Sequence, residues 1–304
     1  HLLYQCSLVA LCFITVFYSI YFIAIGKTHS YDDKWIIETA LHGKDHITLE
    51  QDSFYRTDVY EGMDNEAMFW DMPTIQAFHS IVPPSIMEFY TSMGIERSVG
   101  SRPDQSYAAL RSLLSVKYCF VNQEKAEGYT PMDGFTYYDS QNGFDIYENE
   151  AYVPMGFTYD YYITRSEYDT LTDKAKSKAM LKAILLEDGE EQKYSDILEH
   201  LPSSERSDIL LQSHVMDAKE RALTSAYSFE TDSRGFTAKI NLDEEKIVFF
   251  SVPYEKGFTA TVNGERADII RCNVGFMAVR CPAGQDVTIR FDYMTPGLVP
   301  GLLL

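Results

Sequence analysis

Residues 2–26 read LLYQCSLVALCFITVFYSIYFIAIG, and from Leu2 to Gly26 there is no charged side chain. At about 1.5 Å per residue, a helix of this length crosses a hydrocarbon core of about 30 Å. Backbone amides find no water inside lipid, so a helix is the form such a segment takes there. A cleavable leader has a basic start, a shorter apolar stretch and a small-x-small cut site, and this run lacks all three. The run therefore predicts a transmembrane helix over residues 1–26.

The rest of the chain is of another kind. Of 304 residues, 45 are acidic and 26 basic, a net charge of -19 that falls entirely within Lys27 to Leu304. Such a surface is repelled by phosphate backbones, which argues against nucleic acid as a partner. An apolar share of 45% against 23% charged residues is that of a folded chain. Five cysteines without a CxxC pair exclude a disulfide scaffold or a zinc module. Cys272 and Cys281 are predicted to stay unbridged, because a hairpin loop at Asn273 to Gly275 puts about 16 Å of strand between them. The sequence starts with His1 and stops in the apolar run Leu298 to Leu304, and both ends read as cut points. Expected is the end of one spanning helix, a large loop domain and, at 297–304, the start of the next span, with Lys27 and Pro296 on one face.

The fold class read from the pattern is α+β: an N-terminal transmembrane helix, a mixed α/β domain over 27–163, a helical connector over 164–223 and a C-terminal antiparallel β-sandwich over 224–296. A short helix is read around Trp35 to Leu41. Phe54 to Tyr60 alternates as a strand. Asn65 to Trp70 reads as loop or short strand, Ser85 to Met93 and Asp104 to Leu114 as helices, and Val116 to Val121 as an apolar strand. Asn142-Gly143 marks a hairpin between Phe135–Asp139 and Phe144–Glu148. Thr164 and Glu167 form a capping box before a helix running toward Leu186. Gln192 to Leu201 and Ser204 to Leu223 also read as helical. From Ala226 onward strands recur at short intervals: 226–231, 236–242, 246–252, 258–262, 266–272, 276–281 and 287–293. Asn263-Gly264 is the sharpest turn among them.

Few motifs of known chemistry occur in the chain. There is no P-loop, GxGxxG, HExxH, GxSxG or EF-hand loop. His42 and His46 have a metal-ligand spacing, but Gly43 and Ile47-Thr48-Leu49 break the helix it needs, so a solvated loop is the reading and no metal is assigned. His79 reads as a satisfied, partly buried histidine. Glu187 to Glu191 and Asp243 to Glu245 read as solvated turns. Asp58, Glu61, Asp64 and Glu66 lie near Trp70, but no spacing sets two of them across a sugar. No catalytic residue is assigned. The binding candidates, for sugar or a partner, are Trp70, Tyr254 and Phe258.

The run Phe249-Phe250-Ser251-Val252-Pro253-Tyr254-Glu255-Lys256-Gly257-Phe258-Thr259-Ala260-Thr261-Val262-Asn263-Gly264 resembles the C-terminal region of YfhO-family bacterial membrane proteins. Gly275-Phe276-Met277, Cys281-Pro282-Ala283-Gly284 and Phe291 to Gly297 follow in the family's order. Arg111 to Val121 and Tyr147 to Phe157 are similar as well. Phe258 stands where the family usually has Trp. The resemblance implies a multi-spanning protein similar to the GT-C glycosyltransferases, which take sugar from a polyprenyl phosphate outside the membrane. It implies glycosylation of envelope polymers such as lipoteichoic acid, with the key acidic residue in an early loop beyond this sequence. The expected setting is the bacterial cell membrane with the soluble part extracytoplasmic. Expected partners are membrane lipid and a carbohydrate or envelope polymer. No cofactor is expected in this segment itself, and a lipid-linked sugar donor is expected for the parent protein. The alternative is a non-catalytic carbohydrate-binding or protein-interaction module in an envelope-assembly complex.

Overall fold

The computed structural model describes residues 1–29, 36–209, 211 and 213–302. The apolar run is a single helix, α1 (Leu2–His29), that continues through Lys27. Its side chains from Leu2 to Thr28 are all exposed, and none of its apolar length packs into the body. That is what a helix built for lipid rather than for a protein core shows. Trp35 lies outside the described residues; Ile36–Leu41 forms a π-helical turn and Gly43–His46 a 3-10 turn.

The first sheet contains β1 (Arg56–Tyr60). Next come α2 (Glu66–Phe69), α3 (Pro84–Ser92) and α4 (Ala108–Leu113). The strands β2 (Val116–Asn122), β3 (Phe135–Gln141) and β4 (Phe144–Asn149) complete it in the order β1-β2-β4-β3. β1 and β2 run parallel; the other pairs are antiparallel. Asn65 to Trp70, read as loop or strand, is the helix α2, because Asn65 in the left-handed region turns the chain into it. The helix read over 104–114 starts only at Ala108, since Asp104 spends its carboxylate on the Ser106 amide and hydroxyl, in a turn.

The connecting region is less helical than its pattern. It holds β5 (Phe157–Thr158), β6 (Tyr161–Thr164), α5 (Arg165–Asp169) and α6 (Asp173–Lys182). After these come β7 (Ile184–Leu186), β8 (Glu199–His200), α7 (Ser203–Asp208) and α8 (His214–Leu223). The capping box at Thr164 and Glu167 is formed. Ile184 and Leu185 leave the helix for β7, which pairs parallel with β6, and β8 extends the same sheet. Helical period and buried strand look alike in so short an apolar run. Over 192–201 the chain has a 3-10 turn at Glu191–Lys193 and then β8 in place of a helix.

The C-terminal part is an antiparallel sandwich. Its strands are β9 (Ser228–Thr231), β10 (Gly235–Leu242), β11 (Lys246–Pro253), β12 (Phe258–Val262), β13 (Glu265–Ala267), β14 (Ile269–Cys272), β15 (Phe276–Cys281) and β16 (Gly284–Tyr293). One sheet has the order β13-β12-β16-β10-β9 and the other β14-β15-β11-β5. A last short helix, α9 (Leu298–Leu302), follows. The stretch read as one strand over 266–272 is two strands that change sheet at Asp268, and Cys281 pairs with Lys246 on β11. Cys272 faces Phe276 as its loop requires, and both cysteines are free thiols. Both Asn-Gly turns hold positive φ at each residue: Asn142 and Gly143, Asn263 and Gly264. Asparagine and glycine tolerate that region, and the turn's twist matches that of the strands.

The sheet β14-β15-β11-β5 is buried on both faces. Ile247, Phe249, Phe276 and Ala278 point into a large core shared with Phe89, Leu110, Tyr159, Ala179 and Leu185. Val248, Phe250, Met277 and Val279 point the other way, into the sandwich core with Phe236, Ile289 and Phe291. Asn273, wholly buried in the β14–β15 turn, trades backbone and side-chain hydrogen bonds with Leu185 on β7 and donates to the Tyr159 hydroxyl at 3.0 Å.

Since Phe249 and Phe250 lie in different cores, each is expected to be needed separately. Phe249→Ala and Phe250→Ala should each cost about 3–5 kcal/mol. Urea unfolding of the detergent-solubilised chain, followed by near-UV circular dichroism, checks this; a loss confined to one variant contradicts the two-core layer.

Candidate functional site

Of the three aromatic candidates, Trp70 sits apart, while Tyr254 and Phe258 both pack against the sandwich core. Trp70 is 1% exposed, wedged between Phe120 and Phe144, with its indole N–H donating to the Thr39 carbonyl at 2.9 Å. Its faces are taken by protein, so it has none to offer a sugar. Tyr254 is half-buried, with the Arg271 guanidinium 5.7 Å from its ring centroid. Phe258, also half-buried, leans on Tyr293 at 5.0 Å and packs against the sandwich core. The structure does not bring Trp70 to the other two.

What it does assemble is a polar cleft of about 410 Å³ at the carboxyl end of β1, against the middle of β2. Open sheets with parallel strands commonly bind ligands at that edge. Asp58, Tyr60 and Glu61 come from the end of β1, Gln105 and Asp104 from the loop before α4, and Tyr129 from the far wall. The floor is an ion pair between Asp58 and Arg111, each about 2% exposed. Arg111 donates Nε to Asp58 Oδ2 at 3.0 Å and its other nitrogens to the Pro103, Asp104 and Tyr107 carbonyls. Asp58 Oδ1 accepts from the Val59 amide. With its donors engaged in this way, the pair is a rigid foundation, because a buried charge is tolerable only when its bonds are met. The Tyr60 and Tyr129 rings pack at 5.1 Å on the wall. Asp104 is held below the usual carboxylate range by the Ser106 hydroxyl and amide, so it is ionised in the cleft. Cys119 lines the cleft too, but burial pushes its thiol far up, which leaves it inert as a nucleophile.

The acidic group near Trp70 is thus divided by environment. Asp58 is paired under the cleft and Glu61 lines it, while Asp64 pairs with Arg102 at 2.9 Å on the surface. Glu66 is 1% exposed; its Oε2 accepts from the Met63 amide at 2.9 Å and its Oε1 has no partner. Burial raises its carboxyl to about 7. His42 and His46 lie exposed on the 3-10 turn, and among the described residues no three His, Cys, Asp or Glu side chains converge on a metal position. His79, read as partly buried, is exposed; its amide donates to the Val99 carbonyl. The acidic turns make surface ion pairs, Glu187 with Arg165 and Glu245 with Arg280. Arg111 escaped the sequence reading because arginine in an apolar helix carries no signature until its carboxylate partner, 53 positions away, is folded onto it.

A family described as bacterial membrane protein YfhO matches residues 1–219 and 207–304. The chain is 29% identical over 146 residues to a Bacillus subtilis (strain 168) protein named uncharacterized protein YfhO, covering 46% of this chain and 17% of that one. The chain thus corresponds to a small part of that relative's length. No solved structure matches.

The raised carboxyl of Glu66 has a sign that can be measured. The folded state holds its proton up to about 7, whereas the unfolded chain releases it near the ordinary value of 4.5. Stability contributed by this site is therefore present below the lower value and lost as pH rises toward the upper one. Glu66→Gln should melt like the parent at pH 4 and be more stable at pH 8, by up to about 3 kcal/mol. Equal melting at pH 8 would place the ionised carboxylate in water.

Proposed function

The chain belongs to the YfhO family of bacterial membrane proteins, and from that premise we propose that it carries the extracytoplasmic domain of a GT-C-like glycosyltransferase. In this reading the cleft at the end of β1 receives a sugar of the envelope polymer that is glycosylated, such as lipoteichoic acid. The polyprenyl-phosphate-linked donor is handled by membrane-spanning parts of the parent protein. This domain binds and positions; it supplies no catalytic residue.

The observation that carries the reading is the chemistry of the cleft. Sugar hydroxyls both donate and accept, and they are matched by side chains that do the same or complement one another: Glu61 and Asp104 accept, Gln76 and Gln105 do both, and Tyr60 and Tyr129 add rings. Once Asp58 and Arg111 cancel, Glu61 and Asp104 outnumber Arg102, which is itself paired with Asp64, so the lining is net negative and a neutral sugar fits where a phosphate does not. The membrane setting is supported by α1 and by apolar side chains exposed just after it. Ile36, Ile37 and Leu41 are exposed on the π-helical turn, and Met68 and Phe69 on the adjoining α2. Such a patch suits a bilayer surface better than water.

Tyr60→Ala and Gln105→Ala in the intact parent protein should lower the sugar content of the envelope polymer at least tenfold, with membrane levels of the protein unchanged. Polymer glycosylation is read by compositional analysis and protein level by immunoblot. Unchanged glycosylation in both variants defeats the sugar-holding role and favours the alternative, a non-catalytic module that holds a protein partner.

A further inference from the structure

A second cavity, of about 250 Å³, lies where the start of β1 meets the sandwich, and its electrostatics are opposite to those of the cleft. Arg56 and Arg97 line it, and no Asp or Glu does. In a chain with 45 acidic residues that is a departure from the average surface. Arg111, Arg165, Arg271, Arg280 and Arg290 all have carboxylate partners, whereas Arg56 and Arg97 make no ion pair among the described residues.

Both heads are anchored by neutral groups. Arg56 donates Nη1 to the Leu114 carbonyl at 2.9 Å and to the Ser251 hydroxyl at 3.0 Å, and Nη2 to the Ser251 carbonyl at 3.0 Å. Its position follows from a register shift at the first step of β1, a local irregularity that re-aims a side chain. Arg97 is 9% exposed and donates to the Ser98 carbonyl at 2.6 Å, with a long 3.4 Å contact to Ala77. Carbonyl dipoles fix a guanidinium but do not cancel its charge. Burial without a counter-charge is costly, and it lowers the Arg56 head to about 10 and the Arg97 head in the same direction. Ile75, Ile86, Phe89 and Phe276 give it apolar walls beside the polar groups of Thr74, His79 and Tyr90, and low-polarity walls strengthen charge interactions inside.

We propose that this cavity is an oxyanion site for a phosphate ester, with Arg56 and Arg97 holding the phosphate oxygens and the apolar walls facing a short carbon body. Two guanidiniums set on different segments match the several oxygens of a phosphate, which offers each of them an acceptor. The volume suits a small head group. The same chemistry is carried by a free phosphate ester and by the head group of an anionic lipid. The site is independent of the sugar cleft: it lies in a different cavity and its lining bears opposite charge.

The test uses the whole chain in neutral detergent, titrated with ethyl phosphate at constant ionic strength and followed by isothermal calorimetry. A parallel arm places the chain in phosphatidylcholine nanodiscs with and without phosphatidylglycerol and records the melting midpoint. Saturable binding of ethyl phosphate that weakens at least tenfold in Arg97→Gln, is largely restored in Arg97→Lys and is unchanged in the exposed control Arg234→Gln supports a site for a free ester. A rise of several degrees with phosphatidylglycerol only, absent in Arg97→Gln, supports a lipid head group as the source. No response in either arm, or a response equal in Arg97→Gln and the parent, overturns the proposal. Arg97 lies on a loop and carries no ion pair, so its variants test the site even where Arg56→Gln fails to fold.

Discussion

The structure turns on a sheet with no solvent face. β11 and β15 are covered on one side by helices and the parallel strands, and on the other by the second sheet of the sandwich. Because side chains alternate, consecutive residues serve different cores: Phe249 one, Phe250 the other. A slip of one residue would exchange the two sets entire, so register here is enforced from both sides. The continuous apolar run Ile247-Val248-Phe249-Phe250 is the sequence form of that constraint, as in any strand buried on both faces.

This layer also sets the cavities. Ser251, just past the doubly buried stretch, bonds Arg56 and thereby ties the sandwich to the first strand of the other sheet. Two residues further along β1, Asp58 takes Arg111 of α4. A single strand thus carries the cationic cavity at its irregular start and the floor of the polar cleft toward its end. Where the charge is matched inside the protein, as for Asp58 and Arg111, the pair is foundation; where it is left unmatched, as for Arg56 and Arg97, the cavity has an unmet charge to offer.

The acidic excess is distributed rather than concentrated. Surface carboxylates pair with arginine and lysine across elements, as Asp232 and Asp292 do with Arg290, and Glu245 and Asp196 with Arg280. Exposed pairs of this kind contribute little individually. They leave the apolar layers, not the charges, to hold the body together, and they keep its surface distinct from the apolar helix that precedes it.

The sequence by itself determined the elements whose pattern is local. A charge-free run of this length has only one way to satisfy its backbone in lipid, so α1 was legible from Leu2 to Gly26. The Asn-Gly turns, the capping box at Thr164 and the succession of short strands after Ala226 were legible for the same reason, since each depends on residues within a few positions. Only the tertiary structure decided the rest. Ile184 and Leu185 became a strand because β6 lies beside them, and residues 266–272 split because two sheets compete for them. Trp70, a plausible sugar platform in the sequence, became core because Phe120 and Phe144 close on its faces. Arg56, Arg97 and Arg111 look alike in one dimension. Whether an arginine is paired, anchored or left facing a cavity depends on partners far away in the chain, and the energy of a buried charge depends on those partners far more than on its sequence neighbours.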